Sequence, residues 1–241
     1  MIDIRQESGL GLLAQNGVTF HCHFAFRDYA GTAPVHWGRL RVLNRIALDT
    51  DASFTLARER SVEILTLVLD GMVAARVDGL GDRLLNPGDC HVVSAGDGVA
   101  QATWKAAGAP ATVLQLWFLP EEEGGELAIG LRRDVDHVGH EHCLLASGFP
   151  EDDPEEADQG RSGDPLPLKA RARLLRLVLQ AGEETTIPTT SDRFVYAVVV
   201  AGQMVINGQD VEARCGVAIT GCETVMVRAH AASIVAICDS D

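Results

Sequence analysis

Lysine is almost missing from this chain of 241 residues. Lys105 and Lys169 are the whole complement; of 20 basic residues the other 18 (20 − 2) are arginines that form no run. Against 34 acids they leave a net charge of −14. Nucleic-acid binding needs clustered cations to neutralise phosphates, so a nucleic-acid partner is not expected. Long apolar runs are missing too. Ile64 to Leu69 and Val195 to Ala201 are the longest, far below the roughly 18–20 residues of a membrane helix. The opening Met1-Ile2-Asp3-Ile4-Arg5-Gln6-Glu7 has no basic stretch leading into an apolar one, which predicts a cytoplasmic protein with no membrane partner. No CxxC pair occurs among Cys22, Cys90, Cys143, Cys215, Cys222 and Cys238, which read as reduced thiols in apolar positions. There is no GxGxxG opening a helix, no P-loop and no GxSxG elbow. Helical periodicity is scarce, and its one candidate, Glu121 to Leu131, is weakened by Gly124-Gly125.

What is present is β structure. Arg39 to Leu43, Val62 to Leu69, Met72 to Val77, Cys90 to Val93, Ala111 to Phe118, Leu174 to Leu179, Arg193 to Val200, Gln203 to Asn207, Gly216 to Thr220, Thr224 to Arg228 and Ser233 to Cys238 are short and β-rich. Most are separated by Gly, Pro, Asn or Asp, the pattern of strands and turns. The chain also repeats itself. Leu67 to Val73 matches Val198 to Val205 around Gly71 and Gly202, an offset of 202 − 71 = 131. Pro87 to Val93 then corresponds to Arg214 to Ile219 with Gly88 against Gly216, and Ala111 to Trp117 corresponds to Ala232 to Cys238. One β unit written twice predicts two small barrels, since closure removes exposed edges. The expected division is a first barrel over residues 1–120, a connecting segment over 121–168 and a second barrel over 169–241. The connecting segment holds 14 acids and 3 bases, so 3 − 14 = −11 of the net charge lies there. Its densest part, Glu151 to Asp158, reads as a solvated loop, or else as a docking strip for a basic protein partner.

Two groups of histidines have ligand-like spacing. His21-Cys22-His23 places two imidazoles on one side of a strand, and His137, His140 and His142 lie close together in the acidic segment. Either is a candidate for a transition metal, against a packing or surface role. His36, His91 and His230 stand alone and read as structural. Cys22, between two histidines, is the candidate for a redox-sensing thiol, which would require a lowered pKa.

Taken together, His23-Phe24-Ala25-Phe26-Arg27-Asp28-Tyr29, Leu40-Arg41-Val42-Leu43-Asn44, Val62 to Gly71 (VEILTLVLDG), Pro87-Gly88-Asp89, Ser94-Ala95-Gly96-Asp97-Gly98 and Leu114-Gln115-Leu116-Trp117-Phe118-Leu119-Pro120 resemble the pirin family of the cupin superfamily. The resemblance runs from about residue 15 to the C-terminus. It implies an all-β bicupin, two jelly-roll-like cupin barrels packed face to face. It also implies a His₃Glu centre for iron or another divalent metal, and the quercetin 2,3-dioxygenase activity associated with some bacterial pirins. At the positions that carry those ligands this chain has Ala57, Glu59, Gln101 and Thr103. Ala cannot ligate, Gln and Thr are weak neutral donors, and one carboxylate holds a transition metal poorly. The expectation is therefore that no metal cofactor is held there. Ala57, Glu59, Glu63, Gln101 and Thr103 would line a small pocket at the barrel mouth, with Glu59 seeking a partner such as Arg58, Arg60 or Gln101. The leading reading is a non-catalytic protein that binds a small molecule, regulates, or responds to redox state. The alternative is a metal-dependent quercetin 2,3-dioxygenase-type oxidoreductase with substituted ligands.

Overall fold

The computed structural model describes residues 1–29, 34–133, 142–152 and 164–241. Its regular structure is almost entirely strand, with two three-residue 3-10 turns at Glu7–Gly9 and Pro150–Asp152. No helix among the described residues is long and apolar enough to cross a membrane.

The repeat becomes two halves of the same design. In the first, a seven-stranded sheet runs in the order Ala128–Arg132, Cys90–Ser94, Glu63–Asp70, Ala111–Phe118, Leu40–Leu48, Val18–Cys22 and Gly11–Gln15. A four-stranded sheet of Ser53–Glu59, Val99–Ala106, Val73–Val77 and Gly81–Leu85 covers its inner face. In the second, the large sheet runs Ile2–Arg5, Gly216–Thr220, Phe194–Ala201, Ser233–Ser240, Ala172–Leu179, Cys143–Ser147 and Leu166–Pro167. Its small sheet is Glu184–Pro188, Thr224–Ala229, Gln203–Ile206 and Gln209–Glu212. Among the described residues the ladders do not run from a large sheet into a small one. Each half is thus two facing sheets, the jelly-roll-like arrangement that the bicupin resemblance implies.

One strand crosses to the other half, and the connecting segment supplies a strand to the first. Ile2–Arg5 pairs with residues 216–219 of the second half, and Ala128–Arg132 pairs with Cys90–Ser94 of the first. The sheets therefore do not follow the linear division at residues 120 and 168. Nor is the segment over 121–168 simply a loop, because it contributes Ala128–Arg132, Cys143–Ser147 and Leu166–Pro167. Of its acidic run, Glu151 bonds Arg193 and Asp152 pairs with Arg173 at 3.3 Å. Residues 153–158 lie outside the described residues.

Strand alternation divides the core into three layers. Along Glu63–Asp70, Ile64 and Val68 point into the first half with Phe54, Val93 and Val113. Leu65 and Leu67 point the other way, meeting Leu174, Tyr196 and Val198 across the face where the two large sheets pack together. Leu175, Ala197, Val217 and Ile237 fill the second half.

Register also corrects the repeat alignment. Gly88 N–H donates to Val68 O at 2.8 Å and Arg214 N–H to Val199 O at 2.6 Å, so Gly88 corresponds to Arg214 rather than Gly216. Both have positive φ, 87° and 68°. Similarly, Gln115 pairs with Asn44 and Thr66, while Ile237 pairs with Leu175 and Ala197. Ala111 therefore corresponds to Ser233, one residue beyond the sequence match, and a one-residue slip exchanges the two faces of a strand.

Candidate functional site

Three of the positions expected to hold the metal, Ala57, Gln101 and Thr103, come together on an outer face, whereas Glu59 pairs with the buried Val99. Gln101 pairs with Ala57 and Thr103 with Thr55 across two strands of the small sheet. The intervening Phe54, Leu56, Ala102 and Trp104 point into the core, so alternation turns Ala57, Gln101 and Thr103 toward solvent. The Thr103 hydroxyl is 2.9 Å from that of Thr55. Glu59 is half-buried, and burial raises its pKa while the nearby Arg27 guanidinium opposes the rise. The ionic neighbour of Glu59 is thus Arg27, not Arg58 or Arg60. Arg27 has φ 50° and stacks over Phe20 and Phe26, 5.4 and 5.3 Å from their ring centroids.

Glu63 does not join this group. Its side chain accepts a hydrogen bond from Ser94 Oγ at 3.0 Å and one from the Lys169 backbone N–H at 3.3 Å. It shares the parity of Leu65 and Leu67, so it lies on the face between the halves. The chain reverses parity between Glu59 and Glu63 at Ser61, whose φ is 49°. One carboxylate, one amide, one hydroxyl bonded to a neighbour and one alanine do not make a His₃Glu set. Among the described residues no three His, Cys, Asp or Glu side chains gather as a metal-binding group.

The other candidates separate in the same way. His21 and His23 do share a face and line one slot between the halves, but bring no third ligand. His142 Nε2 lies 2.7 Å from Thr185 Oγ1 on the surface, whereas His137 and His140 lie outside the described residues. Cys22 is buried, and burial pushes its thiol up to about 11. That is the opposite of the lowered pKa a redox-sensing thiolate requires.

Residue-by-residue reading of the sequence missed a row of polar side chains inside the first half. His91 pairs with Thr66, Thr66 with Gln115, Gln115 with Asn44, and Asn44 with Cys22. All five are buried. Their parity with Val93, Ile64, Val113, Ile46 and Phe20 points them into the sandwich. Trp117 Nε1 donates to Gln115 Oε1 at 3.0 Å, and Gln115 Nε2 donates to Thr66 Oγ1 at 3.4 Å. Both ring nitrogens of His91, both amide atoms of Asn44 and the indole Nε1 of Trp104 have no partner among the described residues. Burial holds His91 neutral, lowering its pKa to about 4.

The second half carries the same ladder in other residues. Val217 pairs with Ala197, Ala197 with Ile237, Ile237 with Leu175, and Leu175 with Leu144. Polar residues at these positions are therefore not a requirement of the fold. The end of the second half that corresponds to Glu59 is filled as well. Asp239 accepts from Arg173 Nε at 3.0 Å, Arg193 Nη1 at 3.4 Å and Thr189 Oγ1 at 3.0 Å. Arg173 Nη2 donates to Pro188 O at 2.6 Å, and the Arg193 guanidinium lies 3.7 Å from the Phe149 ring centroid.

Similarity to known proteins follows this architecture. Residues 6–118 match the family described as "Pirin", and residues 157–239 match "Quercetinase C-terminal cupin domain". A pirin-like protein of Caulobacter vibrioides is 32% identical over 91% of this chain and 90% of its own length. A quercetin 2,3-dioxygenase of Escherichia coli K12 is 27% identical over 90% of this chain and 88% of its own. The nickel(II) complex of the bacterial pirin YhhW from E. coli superimposes with a TM-score of 0.85 at 23% identity, covering 100% of this chain and 99% of that one. The two matched segments, the paired sandwiches and the near-full-length likeness to the Caulobacter protein together place this chain in the pirin family.

Proposed function

We propose that this pirin-family chain is a small-molecule-binding bicupin whose binding chamber is the interior of the first half. It does not use the family's metal position. The observation that carries the reading is the row His91–Thr66–Gln115–Asn44, polar where the other half is apolar throughout. A buried polar group without a partner costs about 1–3 kcal/mol, and the second half shows that the same ladder closes without one. Such groups are accounted for when a guest supplies the missing hydrogen bonds. His91 is neutral and Asn44, Thr66 and Gln115 carry no charge, so the complementary guest is uncharged with several donors and acceptors.

A second reading, a quercetin 2,3-dioxygenase-type oxidoreductase, draws support from the name of the E. coli relative and from the nickel held by YhhW. Ala57, Gln101 and Thr103 weigh against it, because a dioxygenase of this class relies on its metal to bind the flavonol and direct oxygen chemistry. One experiment separates the two. Purified protein is analysed for bound metal and assayed with quercetin after addition of Fe²⁺, Ni²⁺ or Cu²⁺. The expected result is less than stoichiometric metal and no flavonol consumption. Stoichiometric metal lost on Glu59→Gln, together with quercetin turnover, would establish the second reading instead.

A further inference from the structure

The two sides of the paired large sheets are not finished alike. On one side Ala128–Arg132 flanks Cys90–Ser94, and the connecting segment lies against it. There Arg132 Nε donates to Asp164 O at 3.2 Å, and a Cβ on Gly130 would fall 3.0 Å from Leu166 Cδ2. On the other side Ile2–Arg5 takes the corresponding place beside Gly216–Thr220 and forms the outer edge of its sheet. Among the described residues no further strand pairs with it. An open groove with about 290 Å³ of room lies beside it, lined by Ile4, Arg5, Gln6, Leu10, Tyr29 and Pro34.

The hydrogen-bond pattern of this strand decides which groups face outward. Met1 N donates to Thr220 O at 2.6 Å, and Thr220 N–H returns a bond to Met1 O at 3.0 Å. Antiparallel bonding alternates, so Asp3 and Arg5 also bond inward, to Ala218 and Gly216. The N–H and C=O groups of Ile2 and Ile4 therefore point away from the sheet, as does the N–H of Gln6. Such a row is a template for another strand unless proline, a bulge or repelling charge blunts it. Ile2–Arg5 contains no proline and pairs with Gly216–Thr220 without a bulge. Ile2 is also 38% exposed.

The two charges of the strand select a partner. Asp3 is largely exposed. Arg5 is fixed in place. Its Nη1 donates to His23 O at 3.0 Å, and its guanidinium lies over Phe24 and Tyr196, 4.8 and 5.1 Å from their ring centroids. The Tyr196 hydroxyl in turn lies 3.0 Å from His23 Nδ1. Within the strand Asp3 approaches Arg5 only to 3.8 Å. An antiparallel copy of the same strand can bond to the outward groups in registers that differ by two residues. Setting Ile4 opposite Ile4 places each Asp3 against the other copy's Arg5. Sliding by two residues instead places Asp3 against Asp3 in one direction and Arg5 against Arg5 in the other. Opposite charges facing across a strand pair attract and like charges repel, so one register is selected.

We propose that this edge is a self-association surface, on which residues 2–6 of a second copy pair antiparallel with residues 2–6 of the first, Ile4 opposite Ile4. Such a surface is isologous and closes as a two-fold dimer, in which the large sheets of the two second halves become one continuous sheet. Ile4 exchanges N–H···O bonds with its counterpart, and the Gln6 N–H of each copy reaches Ile2 O of the other. The surface is independent of the interior row.

The test is sedimentation velocity of the full chain over about a hundredfold range of concentration. Wild type is compared with Ile4→Pro and Asp3→Lys, each first checked by thermal unfolding. Proline at position 4 removes an outward N–H and leaves the inward bonds of Asp3 and Arg5 in place, where an edge strand tolerates it. Wild type is expected to pass from monomer to dimer as concentration rises, and Ile4→Pro to remain monomeric over that range. Asp3→Lys faces the other copy's Arg5 with a like charge, and is expected to raise the dissociation constant about tenfold or more. It decides the matter should Ile4→Pro fail to fold. A wild type that stays monomeric throughout would overturn the proposal. So would a dimer that folded Ile4→Pro or Asp3→Lys leaves at the wild-type dissociation constant.

Discussion

The two halves share strand order and register, yet treat their interiors differently. Where the first half aligns His91, Thr66, Gln115, Asn44 and Cys22, the second aligns Val217, Ala197, Ile237, Leu175 and Leu144. Their ends differ too. Glu59 in the first half is half-buried with Arg27 nearby, whereas Arg173, Arg193 and Asp239 lock the corresponding end of the second. The comparison separates what the fold needs from what one half adds. The apolar ladder shows the fold's requirement, and polarity at the same positions is the addition.

The largest expected effect comes from opening the locked end. Asp239→Ala leaves Arg173 and Arg193 buried without their shared carboxylate, and breaking a buried ion pair from one side costs about 3–5 kcal/mol. Urea unfolding of the purified variant measures it. A loss below about 1 kcal/mol would mean that the network does not lock the second half.

Acid probes the first half next. Folding holds His23 and His91 at about 3 and about 4, below the ordinary histidine value of 6.5. The unfolded chain therefore binds protons that the native chain refuses, so stability is full above pH 6.5 and falls as pH drops toward 4. Each histidine contributes up to roughly 1.4 kcal/mol per pH unit over that range. His91→Val, which copies Val217, is expected to remove its share of the slope in unfolding measured from pH 7 to 5. A slope unchanged by that substitution would show that His91 is not held neutral.

Gly216→Ala tests the face between the halves. The added methyl must displace Tyr196 or His23, and forcing extra volume into a packed site costs about 1–3 kcal/mol. The melting temperature is expected to fall, together with the hydrogen-bonded Tyr196 hydroxyl signal in NMR. The smallest effect belongs to Glu59→Gln. For a half-exposed carboxylate beside one arginine, unfolding is expected to change by less than about 1 kcal/mol.

Much of this was legible in the sequence. The glycines at 71 and 202, both at positive φ in the structure, exposed the repeat, and the run from Val62 to Gly71 carried the family. Ala57, Gln101 and Thr103 stand in the sequence where the family resemblance implies metal donors. What stayed hidden depends on register. Matching Ala111 to Ala232 instead of Ser233 set Gln115 against Ala236, on the wrong face, and concealed that its true counterpart is Ile237. With correct register, Asn44, Thr66, His91 and Gln115 stand out as polar interruptions found in one repeat only. Glu63 was misplaced because the left-handed Ser61 breaks the alternation that would otherwise link it to Glu59. The crossing strand Ile2–Arg5 pairs with residues more than 200 positions away in the chain, a distance that local patterning does not span.

The measurement that bears most directly on the chamber is the stability of a first half given the second half's row. His91→Val, Thr66→Ala, Gln115→Ile and Asn44→Leu are combined in one chain and compared with wild type by urea unfolding at pH 7 without ligand. If the polar row serves a guest, the variant unfolds at the same or a higher urea concentration than wild type. If the row instead holds the fold together, the variant unfolds at a clearly lower urea concentration, and the chamber reading is wrong.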